Sequence, residues 1–151
     1  MLDAAGAGQP GMTPRQAATY ADAILHDTAS ALYPRPQLEF SAEFSDSAAP
    51  CPGGPDADTM VVVTRCYWLR GITGPQFAAI GEQVLAHWRR LGWVITDAAG
   101  VGARRPVIGA VAPPYAFRVS LEWSATGGSG LLSLNATSVC LWPEGTASPA
   151  E

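Results

Sequence analysis

The run from residue 73 to residue 92, TGPQFAAIGEQVLAHWRRLG, decides how the rest of the chain can fold. Thr73-Gly74-Pro75-Gln76 has a capping-box spacing with proline at the first helical position, so a hydroxyl and a side-chain amide can satisfy amide protons that the first turn leaves unpaired. Phe77, Ile80, Val84, Leu85, Trp88 and Leu91 then recur at three-to-four spacing and make one apolar stripe. Arg89 and Arg90 fall in the last turn, where positive charge suits the helix dipole, and Gly92 supplies the left-handed position that ends it. The run predicts an amphipathic helix with one face to bury.

Upstream, Thr13-Pro14-Arg15-Gln16 repeats the capping signal. Ala17, Ala21, Ile24, Leu25, Thr28 and Leu32 give a second stripe that Tyr33-Pro34 closes, with Asp22, His26 and Ser30 on the far face. From Leu38 the period changes to two. Leu38, Phe40, Ala42 and Phe44 alternate with Glu39, Ser41, Glu43 and Ser45, the pattern of a strand with one buried face. A loop is expected from Ser47 to Asp58, and Thr59 to Leu69, apolar on both parities, reads as a central strand covered at least in part on both faces.

Downstream of the helix, Trp93 to Thr96 leads into a Gly/Ala-rich stretch. Val107 to Val111 and Tyr115 to Ser124 flank Ala112-Pro113-Pro114 like a hairpin, and after the turn signal at Thr126 to Gly130 a final strand runs from Leu131 to Leu141. Consecutive strands joined by short links cannot build a parallel doubly wound sheet, which needs a helix between most strands. The expectation is an α+β fold: an antiparallel sheet of about five strands with two helices packed on one face. One domain spans residues 13 to 142, with a flexible N-terminal tail over 1–12 and a flexible C-terminal tail over 143–151.

Composition narrows function. The chain has 151 residues, net charge −4 and only 15% charged residues, with nine Arg and no Lys. A sequence pI near 5.0 argues against nucleic acid, because gripping phosphates takes a basic patch. Absence of lysine removes any Walker lysine or Schiff-base amine. No apolar run approaches the ~20 residues of a membrane span, so no transmembrane segment is expected. The start lacks both the basic and the apolar region of a leader, which leaves two readings: a cytoplasmic protein, or the mature part of an exported one.

Candidate chemistry is sparse. The three cysteines allow three pairs. Cys51, in a Pro/Gly loop, and Cys140, near the end of the last strand, favour each other, closing a loop of about 90 residues worth on the order of 4 kcal/mol. Cys66 sits mid-strand, where a buried thiol behaves as a small apolar side chain. Three reduced thiols in a cytoplasmic protein is the alternative. No CxxC or HxxxH spacing supports zinc, and no cofactor is expected. His26 and His87 are lone helix histidines, and a Cys66/His87 nucleophile pair lacks the local signature of a cysteine hydrolase. Glu39 and Glu43 stand roughly 13 Å apart along one strand, beyond the usual span of a glycosidase pair. The glycines near residues 6–11 follow no strand and those at 127–130 precede no helix, so neither cluster is a phosphate cradle. Asn135-Ala136-Thr137 matches a glycosylation acceptor only by chance inside a strand. Of five tryptophans, Trp88 and Trp123 fall in register with core stripes, whereas Trp68 and Trp142 are free to line a groove or touch a partner.

Four segments together resemble a group of small secreted or lipid-anchored proteins of actinobacteria. They are Cys51 before a long strand, Val84 to Trp93, the arm Tyr115 to Leu121, and the ending Ser138-Val139-Cys140-Leu141-Trp142-Pro143. The resemblance spans roughly residues 13 to 146. It implies an extracytoplasmic place and pairing of the two outer cysteines, and it carries over no catalytic residue. The chain departs from the group in having no lipobox and in Cys66.

The leading expectation is a non-enzymatic cell-envelope or secreted module that binds a partner protein or small ligand on its sheet or at its tryptophan-bearing edge. The alternative is a cytoplasmic interaction protein of immunity or chaperone type. A third reading is a small enzyme with its site near Trp68, Cys66 and His87.

Overall fold

The computed structural model describes residues 12–51, 60–125, 128 and 130–145. The expected tails therefore lie outside the described residues except for Met12 and Pro143 to Gly145, as does most of the loop after Cys51. In chain order the elements are α1 (Pro14–Ser30), β1 (Gln37–Phe40), β2 (Asp46–Pro50), β3 (Val61–Arg70), a short 3-10 turn (Gly74–Gln76), α2 (Phe77–Arg90), β4 (Val94–Ala99), β5 (Val107–Ala112), β6 (Phe117–Ser124) and β7 (Leu131–Thr137).

Both helices form where their caps and stripes predict. Thr13 Oγ1 accepts from the Gln16 amide while Gln16 Oε1 accepts from the Thr13 amide. Gly92 takes φ +82° just past α2, the left-handed conformation that its lack of a side chain allows. Gly81 was not anticipated inside a helix stripe. A methyl there would stand 2.9 Å from Pro106 Cβ, so the missing side chain lets α2 approach the start of β5.

All strands are antiparallel, in the order β1-β3-β7-β6-β5-β4, with β2 beside β3 on the same edge as β1. Among the described residues the sheet has seven strands, not about five. The two additions, β2 and β4, are edge strands whose residues are mostly exposed, so they lack the apolar alternation that marks a strand in sequence. Pro50 fits because an edge leaves its missing N–H unneeded.

The period-two run at 38–45 is not one strand with one buried face. β1 pairs Phe40 with Tyr67 and β2 pairs Asp46 with Thr64, so residues 41–45 lie opposite only residues 65–66 of β3. They form a compact excursion in which the Phe44 amide donates to Ser41 Oγ and the Cys66 amide to Ser45 Oγ. This extra chain breaks the alternation. Phe40 and Phe44, expected on one buried face, end up 42% and 53% exposed.

Register then sorts the side chains. Tyr67 and Leu69 of β3 face the same way as Leu134 and Leu132 of β7, which align with Leu121 and Trp123 of β6. With Val63, Ile108, Ala110, Phe117 and Val119 these inward residues join the stripes of both helices in one core. The helices also touch each other, since Trp88 Nε1 donates to Thr28 Oγ1 at 3.1 Å with both side chains fully buried. Both helices therefore cover the same face, and the other face stays open.

Candidate functional site

The open face is built from the opposite parity of the same strands. Cys66, Trp68 and Thr64 of β3 align with Asn135, Ser133 and Thr137 of β7, and these with Ser120, Glu122 and Arg118 of β6. Short polar side chains bond to one another across it. Thr64 and Thr137 hydroxyls lie 3.2 Å apart, Ser120 Oγ donates to Glu122 Oε2 at 2.8 Å, and Asn135 Nδ2 donates to Ser133 Oγ at 3.1 Å.

A cavity of about 280 Å³ opens on this face, lined by Phe44, Trp68, Trp123, Glu122 and Asn135 with Cys66 and Ser133 at its base. That is near the lower end of the size of small-molecule sites. Phe44 reaches it through the 41–45 excursion and meets Trp68 edge to face, ring centroids 5.9 Å apart and planes at 82°. The Trp123 ring packs against the core and carries the Arg105 guanidinium 4.6 Å from its centre.

The charges here are unevenly paired. Glu39, the cross-strand neighbour of Trp68, is tied to Arg70. Glu122 is exposed and enters no ion pair among the described residues. Cys66 is buried, and its thiol is pushed from an ordinary value of 9.0 up to about 11, first by desolvation and then by the Glu122 charge, while the Ser133 hydroxyl pulls the other way. It stays protonated and unreactive near neutrality.

Trp68 and Trp142 are not brought together. Trp142 follows Leu141, whose amide and carbonyl bond to Val61 at the far end of β3 from Trp68, roughly 23 Å by strand rise. A second hollow of about 270 Å³ lies near that end, lined by Val62, Ala116, Arg118 and residues 137–140. Cys51 and Cys140 form the disulfide, Cα atoms 5.6 Å apart, within the usual span. Cys66 and His87 are also separated, because the sheet lies between the open face and α2. His87 instead points Nε2 to Asp27 of α1 at 3.4 Å.

Sequence reading placed Asp22 and His26 on the far face of α1; His26 is exposed there, whereas Asp22 is half-buried against the sheet. Arg65 Nε and Nη2 donate to the Asp22 carboxylate at 2.8 and 3.0 Å, Tyr67 Oη donates to it at 2.8 Å, and the His26 ring packs edge-on to Tyr67. Arg65 also lies 4.3 Å over the Phe40 ring. Hydrogen bonding to Asp22 leads the forces that hold the Arg65 charge on, and burial leads those that raise the Tyr67 hydroxyl. This cluster pins α1 to the edge of the sheet. Nothing in the spacing of Asp22 signals it, since a partner 43 residues away is invisible to local periodicity.

A shallower hollow of about 730 Å³ runs beside α1 along Arg15, Thr19, Tyr20 and Tyr115. It borders Met12, the first described residue, so the described residues do not delimit it. Among the described residues no three His, Cys, Asp or Glu side chains converge as a metal site, and no helix is long and apolar enough to cross a membrane. No known protein family, curated protein or solved structure matches the chain.

Proposed function

We propose that the chain is a non-enzymatic, extracytoplasmic binding module whose ligand or partner sits on the open face of its sheet at Trp68. The observation that carries this is the contrast of exposure on β3: Val63, Tyr67 and Leu69, facing the helices, are buried, while Trp68 stays half-exposed on the other face beside a cavity. Large aromatic side chains left at such places supply contact area with little loss of side-chain freedom. The Cys51–Cys140 pair supports an oxidising compartment, where such bonds persist. The likeness to secreted and lipid-anchored actinobacterial proteins points the same way, and it contributes no catalytic role.

Two measurements test this reading. Alkylation followed by non-reducing mass spectrometry of protein from its native host is expected to find Cys51 and Cys140 protected and Cys66 labelled only after denaturation. Three free thiols would favour the cytoplasmic interaction protein instead. A fragment screen followed by amide and indole NMR shifts is expected to move signals of β3, β6 and β7 on the open face. Shifts confined to the helical layer, or conversion of any compound into product, would overturn the binding-module reading.

A further inference from the structure

The cavity at Trp68 has a chemistry that selects a class of ligand. Two aromatic rings stand nearly perpendicular, Trp68 and Phe44, so they form a corner whose ring faces carry negative quadrupole potential. Phe44 is 53% exposed, so the corner is open to solvent. Glu122 adds a full negative charge on the same face, one β7 strand away from Trp68 in the register Trp68–Ser133–Glu122.

No described cation neutralises that charge by an ion pair. Arg70 is held by Glu39, and Arg105 lies over the Trp123 ring. Arg118 shares the face but stands four residues along β6, roughly 13 Å by strand rise. That exceeds the screening length of about 8 Å at physiological salt. The remaining groups, Ser133 and Asn135, are neutral, and the Cys66 thiol keeps its proton.

We infer that this corner binds a small organic cation with a methylated ammonium head, seated against Trp68 and Phe44 and drawn by Glu122. A methylated ammonium suits it on three counts. It spreads positive charge over apolar methyl groups, so it loses less hydration on leaving water than a primary ammonium does. It is attracted to aromatic faces. It also fits a cavity of about 280 Å³ with room for a short polar tail, for which the Asn135 amide and the Ser133 hydroxyl are at hand. The inference rests on the binding-module reading and adds the ligand's charge.

The experiment pairs choline with 3,3-dimethylbutan-1-ol, which has the same shape without the charge. Each is titrated into the whole chain up to high millimolar concentration, because exposed cation–aromatic contacts are weak, while indole signals of all tryptophans are followed by NMR. The expected result is a saturable shift of the Trp68 indole with choline, about 2- to 5-fold weaker binding of the neutral alcohol, and a similar weakening in Glu122→Gln. Trp68→Ala is expected to abolish the shift elsewhere on the face, and its amide spectrum reports whether the fold is kept. Phe44→Leu, on an exposed excursion, serves as a second variant with weakened binding.

Equal binding of the two compounds would overturn the charge assignment while leaving the open face as the binding seat. Choline binding unaltered in both Glu122→Gln and Phe44→Leu would overturn the placement. No shift with either compound would overturn the inference, and the fragment screen then decides separately whether the face binds anything.

Discussion

Neighbouring residues of β3 meet opposite surroundings. Val63 and Leu69 are 0% and 1% exposed under the helices, while Thr64 and Trp68, one position away from them, are half-buried on a face that no helix covers. The same contrast runs through β6, where Val119 and Leu121 are buried and Arg118 and Glu122 are exposed. Register makes this sorting obligatory, because a slip by one residue would exchange the two sets. One face is thus committed to stability, and the other can vary at small energetic cost. Cys66 and Ser133 complicate the division, since both are buried on the open side beneath the cavity.

The largest expected effect sharpens the comparison with one pair of tryptophans. Trp88→Ala removes a fully buried ring and leaves Thr28 Oγ1 without its indole donor, at about 3–5 kcal/mol. Trp68→Ala, on the open face, is expected to lose less than about 1.5 kcal/mol. Urea unfolding of both variants checks this. Equal losses would mean that Trp68 is a core residue and that the open face is structural.

The disulfide comes next. It closes a separation of 89 residues, and its removal in a Cys51→Ala/Cys140→Ala double variant is expected to destabilise by on the order of 4 kcal/mol, mainly through the unfolded chain. Unfolding midpoints with and without reductant measure the effect. The wild-type midpoint should fall on reduction and that of the double variant should not move. A wild-type midpoint insensitive to reductant would show that this staple contributes nothing to the contrast between faces.

A smaller effect tests the edge of the helical layer. Asp22→Ala strips three hydrogen bonds, two from Arg65 and one from Tyr67. The pair is partly exposed, at 21% and 28%, so solvent screening limits the loss to about 1–2 kcal/mol. Thermal unfolding at low and high salt checks it. The loss should shrink with salt, and a loss independent of salt would mean that Asp22 acts through packing alone.

What could be read from the chain follows the range of the forces involved. Both helices were legible because caps and stripes are local, as Thr13 with Gln16 illustrates. The β5–β6 hairpin was legible because its strands alternate on either side of a proline turn. Edge strands β2 and β4 were not, because their existence depends on what lies beside them and not on their own residues. Of the candidate site, Trp68 was legible as a contact residue and Cys66 as its neighbour on β3. Phe44, the partner of Trp68, was read with the wrong parity, because a five-residue excursion against two residues of β3 cancels the period-two rule. Glu122, placed by a register across β7, carried no sequence signal beyond lying on a polar parity.

The last expected effect is absent at neutral pH and concerns the exception among the open-face residues. The Cys66 thiol ionises near 9.0 in the unfolded chain and at about 11 in the folded one, because burial disfavours its charged form and Glu122 repels it. Between those values the unfolded state gives up the proton first, so it is the unfolded state that gains as pH rises. This contribution to stability is therefore complete below pH 9 and is lost on the way to about pH 11. Tyr20 and Tyr67 are raised as well, so the test is the difference between wild type and Cys66→Ala, whose unfolding midpoint should fall less steeply over that alkaline window. Iodoacetamide at pH 8 gives the kinetic counterpart: the folded thiol stays protonated and slow to react, and denaturation releases it. Rapid alkylation of the folded protein, with no difference in alkaline slope, would mean that water reaches the floor of the cavity and that the open face is open through to its base.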